Sequence, residues 1–463
     1  MQNEPLSTQR HEGENDVLSG FPRFCDSTIE LTLIGLLVFT PLAFGTVQVW
    51  SISLMHLATV FMLALWFLKM NAQGRFRLTR TPLDLPILVF GGIAVVSTAT
   101  SVYFYESKTE LFKILNYILL YFIVVNNIKD SERIKRVITI LIFVGCGLAL
   151  YGLYNYLNGI EMIYGLEKKA YVGNLTATFV NSNSMCAYLE LTIPLAVGLF
   201  LGGMLASQSI RRKRRRSITT FILPPTIFVM TAALVFTHSR DGWISFFASI
   251  LFLSIILVWV RHKTPKTLTR IAMIVLVVLI VLATTGSVSL YKAMKGEGEG
   301  KVSPINPFRG APIESRIDVY RGTLQMIADR PLLGVGPGNF PLAYPRYRDE
   351  KERIFMNETH NDYLQFASEM GIFSSAAFLV LLFLYFKSGI TYLVSSKNMY
   401  SLGLALGCMV SIAGVAVHAS MDFPFQIPAN ALTFWVILGL TVSMGRASNL
   451  HQVKDAKVSE RIS

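Results

Sequence analysis

The sequence contains few charged residues and few cysteines for its length. Asp, Glu, Lys and Arg make up 15% of the 463 residues, whereas hydrophobic types make up 52% and the mean hydropathy is +0.49. Soluble domains usually carry about 25% charged residues, so this composition indicates a membrane protein. The cysteines lie in or beside apolar segments without metal-like spacing, so neither a disulfide framework nor a zinc site is expected: Cys25, Cys146, Cys186 and Cys408.

The sequence also lacks the signatures of nucleotide-binding enzymes and of secreted proteins. It has no glycine-rich phosphate loop and no dinucleotide fingerprint, so no nucleotide cofactor is expected. No set of acidic residues or histidines has the spacing of a metal site, so no metal is expected either. No cleavable signal peptide is expected, because residues 1–28 are polar and the next apolar run is long enough to remain as a first span.

The hydrophobic residues come in blocks of about twenty, the length of a helix that crosses a bilayer. In lipid each backbone polar group needs an internal partner, so these blocks are predicted to be helices. The predicted fold class is therefore an all-α polytopic membrane protein. Twelve spans are predicted, at residues 29–48, 52–70, 84–102, 110–126, 134–157, 184–206, 218–237, 242–260, 270–290, 372–393, 400–420 and 430–445.

The distribution of basic residues predicts the orientation of these spans. Five loops at one end of the spans carry 20 Lys and Arg, whereas the five short loops at the opposite end carry 4. Basic loops stay in the cytoplasm, so both termini are predicted to be cytoplasmic. The predicted organisation is a cytoplasmic tail at 1–28, spans one to nine at 29–290, a large outer loop at 291–371, spans ten to twelve at 372–445 and a second cytoplasmic tail at 446–463.

The net charge of +13 follows mainly from this topology. The run "RRKRRR" at 211–216 has the composition of a nucleic-acid-binding patch, but its place between two spans favours contact with anionic lipid headgroups. Membrane lipids are therefore expected partners, and nucleic acid is not.

The outer loop is predicted to contain an amphipathic helix. After the irregular, Gly- and Pro-rich residues 295–312, apolar residues recur at helical spacing within 313–331, namely Ile317, Tyr320, Leu324 and Ile327. Such a helix lies on the membrane or caps the bundle. The three glycines of "LLGVGPGNF" (332–340) then indicate a tight turn.

The segment "NETHNDYLQFASEMG" (357–371) places a histidine among amides and a carboxylate. Thr359 is a suitable N-cap, so a helix is predicted to begin there with His360 in its first turn. The helix dipole at that position disfavours imidazolium, so the histidine is expected to stay neutral and able to accept a proton. Asn361 and Asp362 are candidates for orienting the ring or binding hydroxyl groups. A surface histidine that caps the helix is the alternative.

Arginines are predicted on the same side of the membrane as His360. "THSRDGW" (237–243) forms a very short turn that holds Arg240 near the membrane surface, where a charge is costly unless it has a partner. A pair with Asp241 is the alternative role for this arginine. Arg316 and Arg321 lie on the amphipathic helix, where the alternative is a solvated or headgroup-binding face.

Two further segments bring polar residues to the ends of spans. In "TFVNSNSMCAYLEL", Asn181 and Asn183 lie at the start of a span as site residues or helix caps, and Glu190 lies about two turns inside. In "VHASMDFPF", His418 and Asp422 are interpreted as a buried packing pair. The whole set predicts a basic cluster suited to a lipid-linked anion, because arginine matches phosphate oxygens bidentately.

Several motifs together resemble the O-antigen ligase/polymerase family of bacterial envelope glycosyltransferases. They are "SRDGW" in a short turn, "ESRIDVYRG…ADRPLLGVGPGNF", "THNDYLQFASEMGI", "FVNSNSMCAYLEL" and "HASMDFPF", in a chain with twelve predicted spans. The resemblance covers residues 170–430 and is strongest across 314–375. It implies a fold similar to the GT-C class of polytopic glycosyltransferases. It also implies a place in the bacterial inner membrane, with the active site facing the periplasm.

The resemblance also implies an activity without a metal or other cofactor. Family members transfer a glycan from undecaprenyl pyrophosphate to an acceptor hydroxyl, which belongs to lipid A–core for ligases, to another lipid-linked repeat for polymerases, and to a protein side chain for related enzymes. All three remain open. His360 matches the proposed general base, while Arg240 and either Arg316 or Arg321 match the arginines that bind the pyrophosphate. The supporting residues are Asn361, Asp362, Asn181, Asn183 and Glu190.

A transporter or flippase for a lipid-linked glycan is the rival from another functional class. Transporters often show internal repeats and broken helices near the bilayer midplane. This sequence shows no repeat, and its polar residues collect towards the outer face. Both features favour an enzyme.

Overall fold

The structure, a computed structural model, describes residues 7–209, 218–259, 270, 313–348, 356–396 and 398–462. Its helices are α1 (Ser7–Leu42), α2 (Val49–Ala72), α3 (Asp84–Ala99), α4 (Phe104–Asn127), α5 (Ser131–Leu157), α6 (Ser182–Ser209), α7 (Ile218–Phe236), α8 (Arg240–Trp259), α9 (Ile313–Asp329), α10 (Phe340–Ala343), α11 (Asp362–Met370), α12 (Ile372–Ser395), α13 (Met399–His418) and α14 (Pro428–Ile462). A small antiparallel hairpin, β1 (Met162–Ile163) and β2 (Leu166–Glu167), lies between α5 and α6. Short 3-10 turns occupy Phe44–Thr46, Tyr344–Arg346 and Pro424–Gln426. This architecture confirms the predicted all-α polytopic membrane fold.

Within the described ranges, nine helices are long and apolar enough to cross a membrane, and two shorter apolar helices accompany them. Eleven of the twelve predicted spans fall on these helices. The ninth, 270–290, and the Gly- and Pro-rich residues 295–312 lie outside the described residues, apart from residue 270. The first predicted span, 29–48, falls on α1, and among the residues whose side chains are described the candidate span covers Gly20–Leu42. Its buried face already starts at Cys25, which is fully buried, so the predicted tail overlaps α1.

Glycines bring α6 and α13 into direct backbone contact. Gly198 and Gly202 on α6 face Gly407 and Gly403 on α13, and a Cβ added at Gly198 would lie 2.5 Å from the Gly403 carbonyl oxygen. Small residues at four-residue spacing allow membrane helices to approach this closely. The order of the contacts shows that the two helices run antiparallel. The start of α6 therefore lies beside the end of α13.

Replacing Gly202 with alanine is expected to destabilise the protein, whereas the same change at the neighbouring Gly203 is not. A Cβ at Gly202 would lie 2.6 Å from the Tyr400 carbonyl oxygen, whereas nothing lies within 4 Å of a Cβ at Gly203. Overpacking costs about 1–3 kcal/mol, while a Gly-to-Ala change in an open helix position gains up to about 1 kcal/mol. Thermal unfolding of the purified variants in detergent measures the difference, and equal midpoints would argue against the backbone contact.

Helix α9 packs on the protein through a different face from the predicted apolar stripe. Val319, Thr323 and Met326 are fully buried, whereas Ile317 and Leu324 of the stripe are 50% and 56% exposed. The buried face includes Gly322, next to Thr323. Because this glycine has no side chain, α9 can approach the backbone of the segment that follows α10. The exposed stripe thus remains on the outside of α9.

The predicted tight turn after α9 is present and fixes α9 relative to α11. Its backbone has positive φ at each glycine, namely Gly334, Gly336 and Gly338. A Cβ at Gly334 would lie 2.4 Å from the Glu369 carbonyl oxygen, so only glycine permits this approach. The Gly336 N–H donates to the same carbonyl at 2.8 Å. The turn thereby anchors the end of α11, whose beginning follows His360.

Candidate functional site

His360 lies immediately before helix α11 rather than inside it. The helix begins at Asp362, and its N-cap is Asn361, whose side-chain oxygen accepts a hydrogen bond from the Leu364 N–H at 3.1 Å. Thr359 instead accepts a hydrogen bond from the Asn361 N–H through its hydroxyl. The predicted helix start at Thr359 is therefore wrong, because two suitable caps lie two residues apart and Asn361 takes the position. His360 has a φ of 56°, in the left-handed region.

A carboxylate holds the His360 ring. Nδ1 of His360 lies 2.8 Å from Oδ1 of Asp422, and the ring packs edge-on against Phe423. The His360 carbonyl oxygen accepts a hydrogen bond from the Tyr320 hydroxyl at 2.9 Å. With Asp422 ionised, Nδ1 must carry the ring proton, which leaves Nε2 as the nitrogen that can accept another. Asp422 thus gives His360 the tautomer that a general base needs.

Asp422 also sets the electrostatic surroundings of His360. The ring lies outside α11 and faces the negative charge of Asp422, so it does not occupy the first-turn position on which the predicted dipole effect depends. Burial alone would raise the pKa of the Asp422 carboxyl, but the hydrogen bond from His360 and the nearby His418 ring outweigh burial and hold this pKa well below its ordinary value. Asp422 is therefore ionised. The sequence predicts that Asp422 packs against His418. In the structure Asp422 also contacts His360.

A second histidine extends this contact into the helical bundle. His418 lies at the end of α13, with Nδ1 3.0 Å from Oε2 of Glu190 on α6 and Nε2 3.7 Å from Oδ2 of Asp422. Ser245 on α8 donates to Oε1 of Glu190 at 2.6 Å. We call Glu190, His418, Asp422 and His360 the buried network. The predicted supporting residue Glu190 is thus linked to His360 through two intervening side chains.

Arg316 brings a positive charge to the same part of the molecule. Its guanidinium forms a two-point ion pair with Asp241 at the start of α8, with N–O distances of 3.0 and 2.9 Å. Nη1 also donates to the Met421 carbonyl oxygen at 2.8 Å, one residue before Asp422. Burial would lower the pKa of Arg316, but Asp241 outweighs burial and raises it. The side chain is therefore a permanent cation next to the buried network.

The other two predicted arginines lie in different surroundings. Arg240 is the first residue of α8 and is partly buried. Its neighbour Asp241, considered above as its partner, forms its ion pair with Arg316. The side chain of Arg321 is 70% exposed and pairs with Asp318 on the same helix at 3.2 Å. Of the two arginines on α9, the structure brings Arg316 to the buried network and leaves Arg321 at the surface.

Two tyrosines that are not among the predicted site residues lie near Arg316 and Asp422. Tyr171, between β2 and α6, and Tyr320, on α9, are close enough to Arg316 and Asp422 for those charges to act on their hydroxyls. Burial raises the pKa of Tyr171 to about 12 and raises the pKa of Tyr320 as well. Both hydroxyls therefore keep their protons and can donate. No pattern in the sequence marks Tyr171, and Tyr320 reads only as part of an apolar stripe.

Two predicted supporting residues hold the segment that carries Asp422. The Asn361 side chain donates to the Ser420 carbonyl oxygen at 2.9 Å in addition to capping α11. Asp362 is fully buried and accepts a hydrogen bond from the Phe425 N–H at 3.0 Å. Burial raises the pKa of the Asp362 carboxyl well above its ordinary value. Both residues position the network from α11 and do not themselves contact the His360 ring through these bonds.

The two predicted asparagines at the start of α6 serve the helix. The Asn181 side-chain oxygen accepts a hydrogen bond from the Asn183 N–H at 2.8 Å, as an N-cap does. Asn183 is half-buried. Within the described residues, no hydrogen bond joins either asparagine to the buried network.

The arrangement can support proton transfer next to an anion. A histidine with a defined tautomer can take a proton from a hydroxyl, and a nearby cation can stabilise a developing negative charge. In the part of the chain that the structure describes, no group of three or more His, Cys, Asp or Glu side chains comes together as a metal site.

Part of the chain matches a known protein family. Residues 225–379, about a third of the chain, match the sequence profile of the family described as O-antigen ligase. The match runs from α7 into α12 and includes the three arginines and His360, whereas Glu190, His418 and Asp422 lie outside it. It confirms the resemblance derived from the motifs. No curated protein matches the chain.

Proposed function

We propose that this chain, whose residues 225–379 match the sequence profile of the O-antigen ligase family, transfers a glycan from a lipid-linked pyrophosphate to an acceptor hydroxyl. The family match and the long apolar helices support a multi-pass membrane enzyme of the glycosyltransferase type. The finer part of the proposal is an undecaprenyl-pyrophosphate donor, a lipid A–core acceptor as in a ligase, and chemistry without a metal. The reaction would take place on the periplasmic face of the bacterial inner membrane.

The proposal rests on one observation: the proposed base, His360, and the cation, Arg316, contact consecutive residues of the chain, Asp422 and Met421. The Asp422 carboxylate orients His360, and the carbonyl oxygen of Met421 accepts a hydrogen bond from Arg316. A diphosphate near Arg316 and a hydroxyl near Nε2 of His360 would therefore be neighbours. Holding reactants in this way removes much of the entropic barrier to a bimolecular reaction.

The proposed reaction is a displacement at the anomeric carbon of the donor sugar. Nε2 of His360 removes the proton of the acceptor hydroxyl while the hydroxyl oxygen bonds to that carbon. The bond from the carbon to the pyrophosphate oxygen breaks, and its electron pair leaves with the pyrophosphate. Arg316 and Arg240 offset the charge that the leaving group gains, and Asp422 stabilises the imidazolium formed at His360.

Two other functions predict different products from the same experiment. A polymerase or a protein O-oligosaccharyltransferase would use the same chemistry with a lipid-linked repeat or a protein side chain as acceptor. A flippase would move the donor across the bilayer without any transfer. The half-buried histidine with a defined tautomer favours transfer, because transport of the donor does not require removal of a proton from a hydroxyl.

Proteoliposomes with purified protein, undecaprenyl-pyrophosphate glycan and lipid A–core test the proposal. We expect glycosylated lipid A–core and free undecaprenyl pyrophosphate to form without nucleotide and in the presence of EDTA. Growth of the glycan on a second lipid-linked repeat instead would assign a polymerase and remove the lipid A–core acceptor. Movement of the donor without any transfer product would overturn the enzymatic proposal.

A further inference from the structure

The buried network continues past the proposed base to two ionisable residues inside the bundle. The side chains of Glu190 and His418 are 0% exposed, and that of Asp422 is 4% exposed. Burying such groups costs several kcal/mol unless charges are paired and hydrogen bonds are made. The close contact of α6 with α13 brings the two residues together. The hydrogen bonds they make therefore restrict where the protons can be.

The positions of the atoms determine the proton arrangement. One proton lies in the hydrogen bond between Oε2 of Glu190 and Nδ1 of His418. Whichever atom holds it, Nε2 of His418 must also carry a proton, because a lone pair there would face the negative Oδ2 of Asp422. The Glu190–His418 pair is then neutral in sum, and its protonated Nε2 lies 3.7 Å from Oδ2, so it acts on Asp422 electrostatically rather than through a hydrogen bond. The other oxygen of the same carboxylate, Oδ1, accepts from His360.

We propose that Glu190 and His418 are positioning residues that withdraw charge from Asp422 and so keep His360 neutral, in the state that accepts a proton. The inference rests on the proposed function of His360 as the base. A carboxylate beside an imidazole favours the imidazolium form, which cannot act as a base. The N–H of His418 at the far oxygen offsets part of this effect while Asp422 still fixes the His360 tautomer.

Other groups also act on the network, and the variants below leave them unchanged. Cys186 lies 3.8 Å from Oε1 of Glu190, next to the Ser245 hydroxyl. Among the described residues, further charged or titratable groups that interact electrostatically with Asp422 or its neighbours are Arg316, Asp241, Asp362, Tyr171 and Tyr320.

Replacements of His418 separate the proposed role from packing. His418→Asn places an amide near the Nδ1 position and keeps the contact with Glu190, but it removes the N–H that faces Asp422. His418→Gln places its amide near the Nε2 position and keeps that N–H. Glu190→Gln accepts from Ser245 through its oxygen and donates to Nδ1 of His418 through its nitrogen, so it preserves the whole pattern.

We expect His418→Asn to move the acidic limb of the pH–rate profile for glycan transfer to higher pH by about one unit. The rate at neutral pH should fall several-fold as a result. His418→Gln and Glu190→Gln should leave the limb in place. Asp422→Asn should move the limb to lower pH, because it removes the charge that favours imidazolium. If His418 had only a structural role, the limb would not move up in pH for His418→Asn and down for Asp422→Asn.

A second measurement does not depend on transfer activity. Diethyl pyrocarbonate modifies neutral imidazole, so the pH dependence of His360 modification, read by peptide mass spectrometry, reports the protonation of that ring directly. We expect the modification curve to move up in pH for His418→Asn and down for Asp422→Asn. If His418→Asn does not fold, His418→Leu, which also lacks the N–H, should give the upward shift.

The two measurements distinguish failure of this inference from failure of the proposed function. Equal modification curves for wild type and His418→Asn, or equal shifts for His418→Asn and His418→Gln, would overturn the positioning role. The expected shifts in a protein that transfers no glycan would uphold the positioning role and overturn the proposed function instead.

Discussion

Replacing His360 with alanine is expected to lower kcat for glycan transfer by about 10²–10⁴-fold, the usual contribution of a positioned general base. Binding of the lipid-linked donor should be largely retained. The reason is that Arg316 is held by Asp241 and Met421 rather than by the His360 ring. The measurement is kcat and KM with purified donor and acceptor in proteoliposomes.

His360→Asn is the sharper variant of this test. His360 has a φ of 56°, a conformation that asparagine tolerates better than alanine does. The asparagine amide lies near the Nδ1 position and can donate to Asp422, so the main loss is Nε2. We expect the same fall in kcat as for the alanine variant, with less effect on thermal stability.

A histidine elsewhere in the chain provides the control. His56 on α2 also makes a hydrogen bond through Nδ1, to Oδ1 of Asn116 at 3.1 Å. His56→Asn should leave kcat within about twofold of wild type, because this ring lies outside the buried network. Full turnover by either His360 variant would remove its role as base. Retained kcat with weaker donor binding would mean that His360 binds the donor instead.

The membrane helices could be predicted from the sequence because each depends on a local property. A block of about twenty apolar residues forms a helix in lipid whatever lies elsewhere in the chain. The stretch before residue 29 could not be assigned to α1 in the same way, since Cys25 is buried in a core that it shares with distant residues. Cys25 lies among polar residues in the sequence, and such a polar stretch predicts a tail outside the membrane.

The beginning of α11 shows where local reasoning ends. Thr359 and Asn361 are both good caps, and local rules do not choose between them. In the folded protein the Asn361 side chain donates to Ser420, and the Asp362 N–H donates to the Ala419 carbonyl oxygen at 2.8 Å. These contacts come from a distant segment. They move the helix start beyond His360 and turn its ring towards Asp422.

The buried network depends on contacts between residues far apart in sequence. His360 and Asp422 are 62 positions apart, and Glu190 and His418 are 228 positions apart. The sequence could indicate that each residue is unusual for its surroundings, as it did for Glu190 inside a span. The pairing itself follows from the close approach of α6 and α13, which a single sequence does not reveal.

Arg316→Lys is expected to weaken donor binding by about 10–100-fold, whereas Arg321→Lys should change it less than about twofold. Lysine keeps the charge but loses the planar fork that binds two oxygens at once, and such charge-assisted bonds are worth about 1.5–3 kcal/mol. Arg316 lies beside the buried network, whereas Arg321 on the same helix is 70% exposed and pairs with Asp318. Titration with radiolabelled lipid-linked donor gives the two dissociation constants.

The ion pair with Asp241 requires one further variant, because Arg316 could matter only as the partner of that carboxylate. Removing one member of a largely buried pair costs about 3–5 kcal/mol, so Arg316→Gln alone would confuse stability with binding. The double variant Arg316→Gln, Asp241→Asn removes both charges, and its thermal stability should recover towards wild type. Donor binding should remain weak, because the double variant still lacks the Arg316 guanidinium that is proposed to face the pyrophosphate. Recovery of binding together with stability would show that Arg316 serves Asp241 and would leave Arg240 as the arginine that holds the donor.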